Sequence, residues 1–199
     1  MDDFWDKRYS DSEYAYGEEP NEYFRQKLEL LKPGKLLLPA EGEGRNAVYA
    51  ASKGWEVTAV DSSSEGQSKA LNLALKKSVE IKYIVSPLEE FVFPENTFDA
   101  VALIYGHFKS DLRKQIHISI LKSLKAEGHL IMEVFSKEQL QNPSGGPKNI
   151  DMLNSLDEIR SDFEQLKIIE LKETTIDLKE GQYHKGEAKV IRLFGKIIF

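Results

Sequence analysis

Lys35-Leu36-Leu37-Leu38-Pro39-Ala40-Glu41-Gly42-Glu43-Gly44-Arg45-Asn46-Ala47 is the stretch that decides the fold. Lys35 to Leu38 reads as a first buried strand, because a continuous apolar run suits a strand covered on both faces, as in a parallel sheet. Glu41 to Ala47 then makes a glycine turn that opens a helix. Glycine lets the backbone approach a ligand without a Cβ, and a helix N-terminus aims unpaired N–H groups and positive potential at the same point. Alone, a Gly-x-Gly pair is equally well explained by the geometry of a tight strand-to-helix turn.

The flanking sequence extends the pattern in both directions. A helix from about Asn21 to Leu31 ends at Pro33-Gly34, and residues 1–22, rich in aromatic and charged side chains, form a flap before it. Arg45 to Lys53 is a helix stopped by Gly54, and Glu56 to Val60 a strand ending at Asp61. Ser64 is expected to cap a helix reaching Lys77, with Ala70, Leu71, Ala74 and Leu75 on its buried face. Glu80 to Val85 and Phe98 to Ile104 are the third and fourth strands. Ser110 is expected to cap a helix with Leu112, Ile116, Ile120, Leu121 and Leu124 in helical period, and Gly128 turns into a strand over His129 to Phe135. After a short helix near residues 155–163, two β-rich stretches, 167–178 and 188–199, flank Lys179-Glu180-Gly181-Gln182 as an antiparallel hairpin. Repeated strand-helix-strand units imply parallel strands with right-handed crossovers. The expected class is therefore α/β: a Rossmann-like, seven-stranded, mostly parallel sheet with helices on both faces and an antiparallel C-terminal hairpin. Residues 1–199 read as one domain, with 1–31 as flap and helix and 32–199 as core.

Composition narrows the function. A net charge of −6 argues against a general affinity for nucleic acid, whose phosphates require a basic face. The absence of cysteine removes thiol nucleophiles, thiolate metal sites and disulfides together. No apolar run approaches the ~18 residues of a membrane span, and the start lacks the basic and apolar regions of a signal peptide. A cytoplasmic monomer or homodimer, with no nucleic-acid or membrane partner, is the expectation. No His/Asp/Glu spacing suggests a metal site.

Asp61 stands roughly 20 residues beyond the glycines, at the carboxyl end of the second strand, where an acidic group can accept both hydroxyls of an adenosine ribose. That combination points to an adenosine-type cofactor and leaves S-adenosylmethionine and NAD both open.

Leu36–Asp61, with its Gly-Glu-Gly-Arg-Asn-Ala core and Gly-Trp-Glu-Val-Thr-Ala-Val-Asp, resembles class I S-adenosylmethionine-dependent methyltransferases. The likeness is greatest to the small-molecule branch that includes tellurite-resistance and thiopurine methyltransferase-like proteins. Phe4-Trp5-Asp6-Lys7-Arg8-Tyr9 and Tyr16-Gly17-Glu18-Glu19-Pro20-Asn21 match that branch's opening, Phe98-Asp99-Ala100-Val101 its fourth strand, and Leu124 to Ile131 its entry to the fifth. Gly145-Gly146-Pro147-Lys148 and Tyr183-His184-Lys185-Gly186 resemble a bacterial subgroup. The resemblance implies methyl transfer from S-adenosylmethionine to a small-molecule acceptor. It implies cofactor contacts at Tyr16, Gly17, Glu41, Gly42, Gly44, Asp61, Ser62, Ser86, Leu88, Tyr105 and Gly106.

This sequence departs from the family twice. The acidic residue that ends the first strand and the glycine two positions later are replaced by Leu38 and Ala40, which leaves Glu41 to stand in for the carboxylate near the methionine amino group. After the third strand, Ser86-Pro87-Leu88 replaces Ala-Asp-Leu, so adenine recognition falls to the Ser86 hydroxyl and the Leu88 backbone. Both changes predict weaker cofactor binding than in typical members. Trp5, Tyr9, Tyr14 and Tyr16 are candidates for an aromatic lid over the sulfonium. No catalytic group is assigned; the candidates for a base are His107, Tyr183 and His184, whereas His117 and His129 read as structural or exposed. Two alternatives remain. A NAD(P)-dependent oxidoreductase would share the turn and Asp61 but lack the terminal hairpin. A non-catalytic cofactor- or partner-binding domain would account for Leu38 and Pro87.

Overall fold

The computed structural model describes residues 4–198. Strand β1 (Lys35–Pro39) lies at the centre of the sheet, and Leu36, Leu37 and Leu38 are wholly buried. Their side chains alternate between two cores, which is why the run is continuously apolar. Leu37 joins a core with Ile116 and Ile120 of α5 (Ser110–Ser123) and Ile159 of α6 (Leu156–Asp162). Leu36 and Leu38 face the opposite core, with Phe24 and Leu28 of α2 (Glu22–Leu28) and Ala47 and Ala50 of α3 (Arg45–Ser52).

The remaining strands are β2 (Glu56–Asp61), β3 (Lys82–Val85), β4 (Phe98–Ile104), β5 (Leu124–Phe135), β6 (Leu166–Glu180) and β7 (His184–Ile197). They assemble in the order β3-β2-β1-β4-β5-β7-β6, parallel through β5, with β7 antiparallel to both its neighbours. The chain winds outward from β1 to β3, then crosses back to β4. The crevice between β1 and β4 at the carboxyl edge is thus the switch point where open α/β sheets bind ligands. The expected sheet is present, hairpin included.

Several element ends differ from expectation. Ser63, not Ser64, caps α4 (Ser64–Lys76), its side chain accepting from the Gly66 N–H. The buried face of α4 carries Ala70, Leu73 and Ala74, while Leu71 and Leu75 are exposed. Gly44 explains the rotation: a Cβ there would lie 2.4 Å from the Ala70 Cβ, so this close approach decides which face of α4 turns inward. Helix α5 follows Lys109 with no side-chain cap, so Ser110 opens the helix without capping it. Strand β5 starts at Leu124, opposite Phe98, and passes through a register shift before His129 pairs with Ala100. The left-handed residue there is Glu127, not Gly128.

The hairpin is longer than its contact with the sheet. β5 pairs with β7 only over Val190–Lys196, so residues 184–189 and their β6 partners project beyond the carboxyl edge. A buried polar network holds this projection in place. Glu133, wholly buried on β5, accepts from the Tyr105 hydroxyl at 2.7 Å, Asn21 Nδ2 at 2.7 Å and Arg192 Nε at 2.6 Å. Asn21 also donates to Glu180 Oε1, whose other oxygen accepts from Arg45 at 2.9 Å and faces His184 Nδ1 at 3.0 Å. Arg45 donates in addition to the Tyr16 carbonyl, which ties the flap to the glycine turn.

Removing one member of such a pair strands the other charge in a medium that hydrates it poorly. Glu133→Ala is expected to cost about 3–5 kcal/mol in chemical denaturation. Glu56→Ala, which breaks an exposed 3.6 Å contact with Lys35, should change stability by no more than about 0.5 kcal/mol.

Candidate active site

A cavity of about 950 Å³ opens at the carboxyl edge over β1 and β4. Its floor is the glycine turn and the ends of β2 and β4. Its roof is the flap, and its far wall is the projecting hairpin with the segment from Pro143 to Met152.

The turn is built on left-handed residues: Ala40 has φ 56°, Gly42 φ 62° and Gly44 φ 84°. Glycine adopts these angles without strain, whereas alanine at position 40 costs roughly 1–2 kcal/mol. Asp61 braces the turn from the next strand. One carboxylate oxygen accepts from the Gly42 N–H at 2.9 Å, the other from the Ser63 N–H at 3.0 Å. Burial raises the Asp61 carboxyl above its ordinary value, against the pull of those N–H groups. An ionised carboxylate offers about four acceptor positions, so Asp61 retains capacity on the cavity side.

Glu41 lines the cavity and also braces the helix that follows the turn. Its Oε1 accepts from the Ala47 N–H at 2.7 Å, so it neutralises the start of α3, and burial pushes its pKa up to about 7. Glu43 receives the Lys69 ammonium at 2.8 Å and the Ala15 N–H at 3.1 Å on one oxygen, while its other oxygen has no partner.

The flap reaches the same place through α1 (Phe4–Tyr9). Asp6 accepts from the Ser63 hydroxyl and the Glu65 N–H, pinning α1 to the start of α4. Trp5 stacks between Tyr9 at 5.6 Å and His107 at 6.1 Å. Burial lowers the His107 pKa to about 3, so the ring is neutral at ordinary pH.

On the hairpin, Glu180 and His184 are directly paired, and His184 is only 3% exposed. Its ring packs on Tyr16 at 4.4 Å, Tyr105 at 4.8 Å and Phe135 at 5.4 Å. Burial lowers its pKa, while the Glu180 carboxylate pulls upward. Gly145 makes room: a Cβ there would stand 2.7 Å from the ring's Cδ2.

Of the anticipated residues, Tyr16, Glu41, Asp61, Ser62, Leu88 and Tyr105 line the cavity, as do His107, Tyr183 and His184. Five do not, and each has a structural reason. Gly42 faces Tyr9, whose hydroxyl would lie 2.6 Å from an added Cβ; Gly44 faces Ala70, and Gly106 faces Leu103 and Phe108. Gly17 lies against the hairpin turn at Gly181. The Ser86 hydroxyl donates to the Pro87 carbonyl. In the aromatic lid, Trp5, Tyr9 and Tyr16 reach the cavity, whereas the Tyr14 hydroxyl donates to the Lys69 carbonyl. His117 is buried against Asp162, and His129 stacks on Phe194. Arg8, Glu43, Arg45, Asn46 and Met152 also line the cavity and escaped the sequence reading. Among the described residues no group of three or more His, Asp or Glu is placed to hold a metal, and no helix is long and apolar enough to cross a membrane.

Residues 39–128 match the family model described as a methyltransferase domain. No curated protein matches the chain. Among solved structures, TehB from Haemophilus influenzae is 14% identical with a TM-score of 0.75, over 98% of this chain and 66% of that one. An S-adenosylmethionine-dependent methyltransferase from Clostridium acetobutylicum is 16% identical with a TM-score of 0.65, over 88% and 89%. The [4+2]-cyclase SpnF has a TM-score of 0.66 at 14% identity, over 94% and 87%. At such identities the likeness is one of fold.

The Glu41 carboxyl has a folded-state pKa above its unfolded value. Between about pH 4.5 and 7 the folded chain holds a proton that the unfolded chain has released, so this group's contribution to stability falls as pH rises through that window. Glu41→Gln keeps an acceptor for the Ala47 N–H and does not titrate. Relative to wild type, the variant is expected to gain stability from pH 5 to pH 8 in denaturant titrations.

Proposed function

We propose that this chain, an S-adenosylmethionine-dependent methyltransferase with its methyltransferase domain at residues 39–128, methylates a small-molecule acceptor enclosed beneath its flap. The observation that carries this reading is the single compartment running from Asp61 to His184. Its volume of about 950 Å³ sits at the upper end of small-ligand sites and suits a cofactor together with a compact acceptor. The antiparallel terminal hairpin also favours this reading over a NAD(P)-dependent oxidoreductase. An acidic chain with no cysteine suits the cytoplasm.

Several residues support cofactor binding at the turn. Asp61, braced on two N–H groups and still able to accept, is placed for the ribose hydroxyls. Ser62 and Leu88 flank that position. Leu38 is wholly buried and offers no carboxylate to the methionine amino group, whereas Glu41, which accepts from the Ala47 N–H, also lines the cavity. The bound cofactor supplies an already activated methyl group. The protein's part is to align the acceptor and exclude water, and the flap's aromatic rings do both. When the acceptor arrives protonated, His184 is the base: Glu180 holds its Nδ1–H, which leaves Nε2 to take the proton.

Calorimetric titration with S-adenosylhomocysteine and NAD in parallel tests the reading. Saturable binding of the first and none of the second is expected; the reverse would defeat it. Asp61→Asn should weaken S-adenosylhomocysteine by roughly 1.5–3 kcal/mol yet bind an analogue without ribose hydroxyls almost as wild type does. An equal loss for both ligands would mean that Asp61 acts only through the turn.

A further inference from the structure

The cavity is electrically divided. Asp6, Glu41, Glu43 and Asp61 gather at the glycine-turn end. At the hairpin end stands a guanidinium, that of Arg8 on α1. Its ring contacts place it there: Arg8 Cζ lies 3.8 Å above the Tyr183 ring and 5.1 Å from Phe4. One of its nitrogens donates to the Tyr16 hydroxyl at 3.1 Å, and the Tyr16 ring in turn rests against His184 at 4.4 Å. Among the described residues no carboxylate stands within ion-pairing distance of Arg8.

Guanidinium chemistry makes this arrangement informative. The group carries five N–H donors around the edge of a plane, and stacking on an aromatic face leaves that edge open. Arg8 spends one donor on Tyr16 and is stacked on Tyr183, so its remaining edge is held in a fixed orientation beside the cavity. A pre-oriented fork of this kind matches the two oxygens of a carboxylate or a similar oxyanion. The other two cations that line the cavity are occupied differently: Arg45 is paired with Glu180 at 2.9 Å, and the Lys148 ammonium donates to the Asn142 carbonyl at 2.6 Å. The neighbouring surface is aromatic: Trp5 and His107 lie nearly parallel, with 22° between their planes. Such faces suit a flat apolar body.

We infer that Arg8 is the acceptor-recognition residue, and that the acceptor is a planar organic acid whose anionic group docks on the Arg8 guanidinium. The inference rests on the proposed methyl-transfer reading and names the substrate class of the same site. One other carboxylate belongs to the system, that of the cofactor's methionine moiety. The geometry favours the acceptor, because Arg8 is held by the Tyr183 ring of the hairpin and by Tyr16, whose own ring rests on His184.

The test measures binding, not turnover. Aromatic carboxylic acids, with benzoate as the simplest, and their neutral amides are titrated into protein saturated with S-adenosylhomocysteine, followed by ligand-observed NMR. Wild type is expected to prefer acids over the matching amides by at least tenfold. Arg8→Gln, which keeps a donor for Tyr16, should abolish that preference, and Arg8→Lys should restore part of it. No acid preference in wild type, or one that survives in Arg8→Gln, overturns the assignment. So does a loss of S-adenosylhomocysteine affinity in Arg8→Gln when 5′-methylthioadenosine, which lacks the amino-acid group, binds unchanged; Arg8 would then hold the cofactor's own carboxylate. If wild type fails to bind S-adenosylhomocysteine at all, the methyltransferase reading fails, and the acid–amide comparison on the unliganded protein still judges Arg8.

Discussion

The Glu133 carboxylate is the interaction on which the site's geometry depends. Taking a charge out of water into the middle of a sheet costs several kcal/mol, and only a complete set of donors offsets it. Those donors come from three places: Arg192 on β7, Tyr105 after β4, and Asn21 before α2, whose amide also donates to Glu180 and so links Glu133 to the Glu180–Arg45–His184 group. An apolar core of the same size would tolerate small sliding of flap against hairpin. A carboxylate with three fixed donors does not, because each displaced donor leaves a buried charge unsatisfied. The flap, the glycine turn and the hairpin are thereby set in one frame, although they are distant in sequence.

The glycine turn shows a second constraint. With Leu38 and Ala40 where the methyltransferases this sequence resembles have an acid and a glycine, the turn has left-handed geometry at position 40 and carries the strain of a Cβ there. The Glu41 carboxylate accepts from the Ala47 N–H at the start of α3 and also lines the cavity. The turn is held by Asp61 and by the Tyr83 hydroxyl, which donates to the Gly42 carbonyl at 2.5 Å. Asp61 therefore bears on the shape of the turn as well as on anything bound beside it.

Much of the architecture is legible in the residues, because period and punctuation are local properties. The Leu36–Leu38 run, the Gly54 stop and the hairpin flanking Gly181 need no knowledge of distant contacts. What escapes depends on packing between remote segments. The face of α4 is set by Gly44 against Ala70, and helical period alone cannot rank Leu73 above Leu71. Gly42, Gly44 and Gly106 read as ligand-facing glycines, yet each lies against another part of the chain. Arg45 and Arg8 look like ordinary surface cations until the flap and the hairpin are brought to them. One signal was available: Glu133 interrupts the apolar run Leu130–Phe135 and Arg192 the run Val190–Phe194, and opposite charges so placed mark a cross-strand buried pair.

The overhanging hairpin has an architectural consequence. Side chains along a strand alternate sides, and Glu180 and His184 share the inner side because they are directly opposed. Lengthening the β7 arm by one residue between His184 and Val190 would swing His184 toward solvent and bring Lys185, now exposed, toward the cavity. Adding two residues to each arm would preserve the alternation and only carry the tip farther out. The far wall of the cavity can therefore be remodelled in even steps alone, while the sheet beneath it stays untouched.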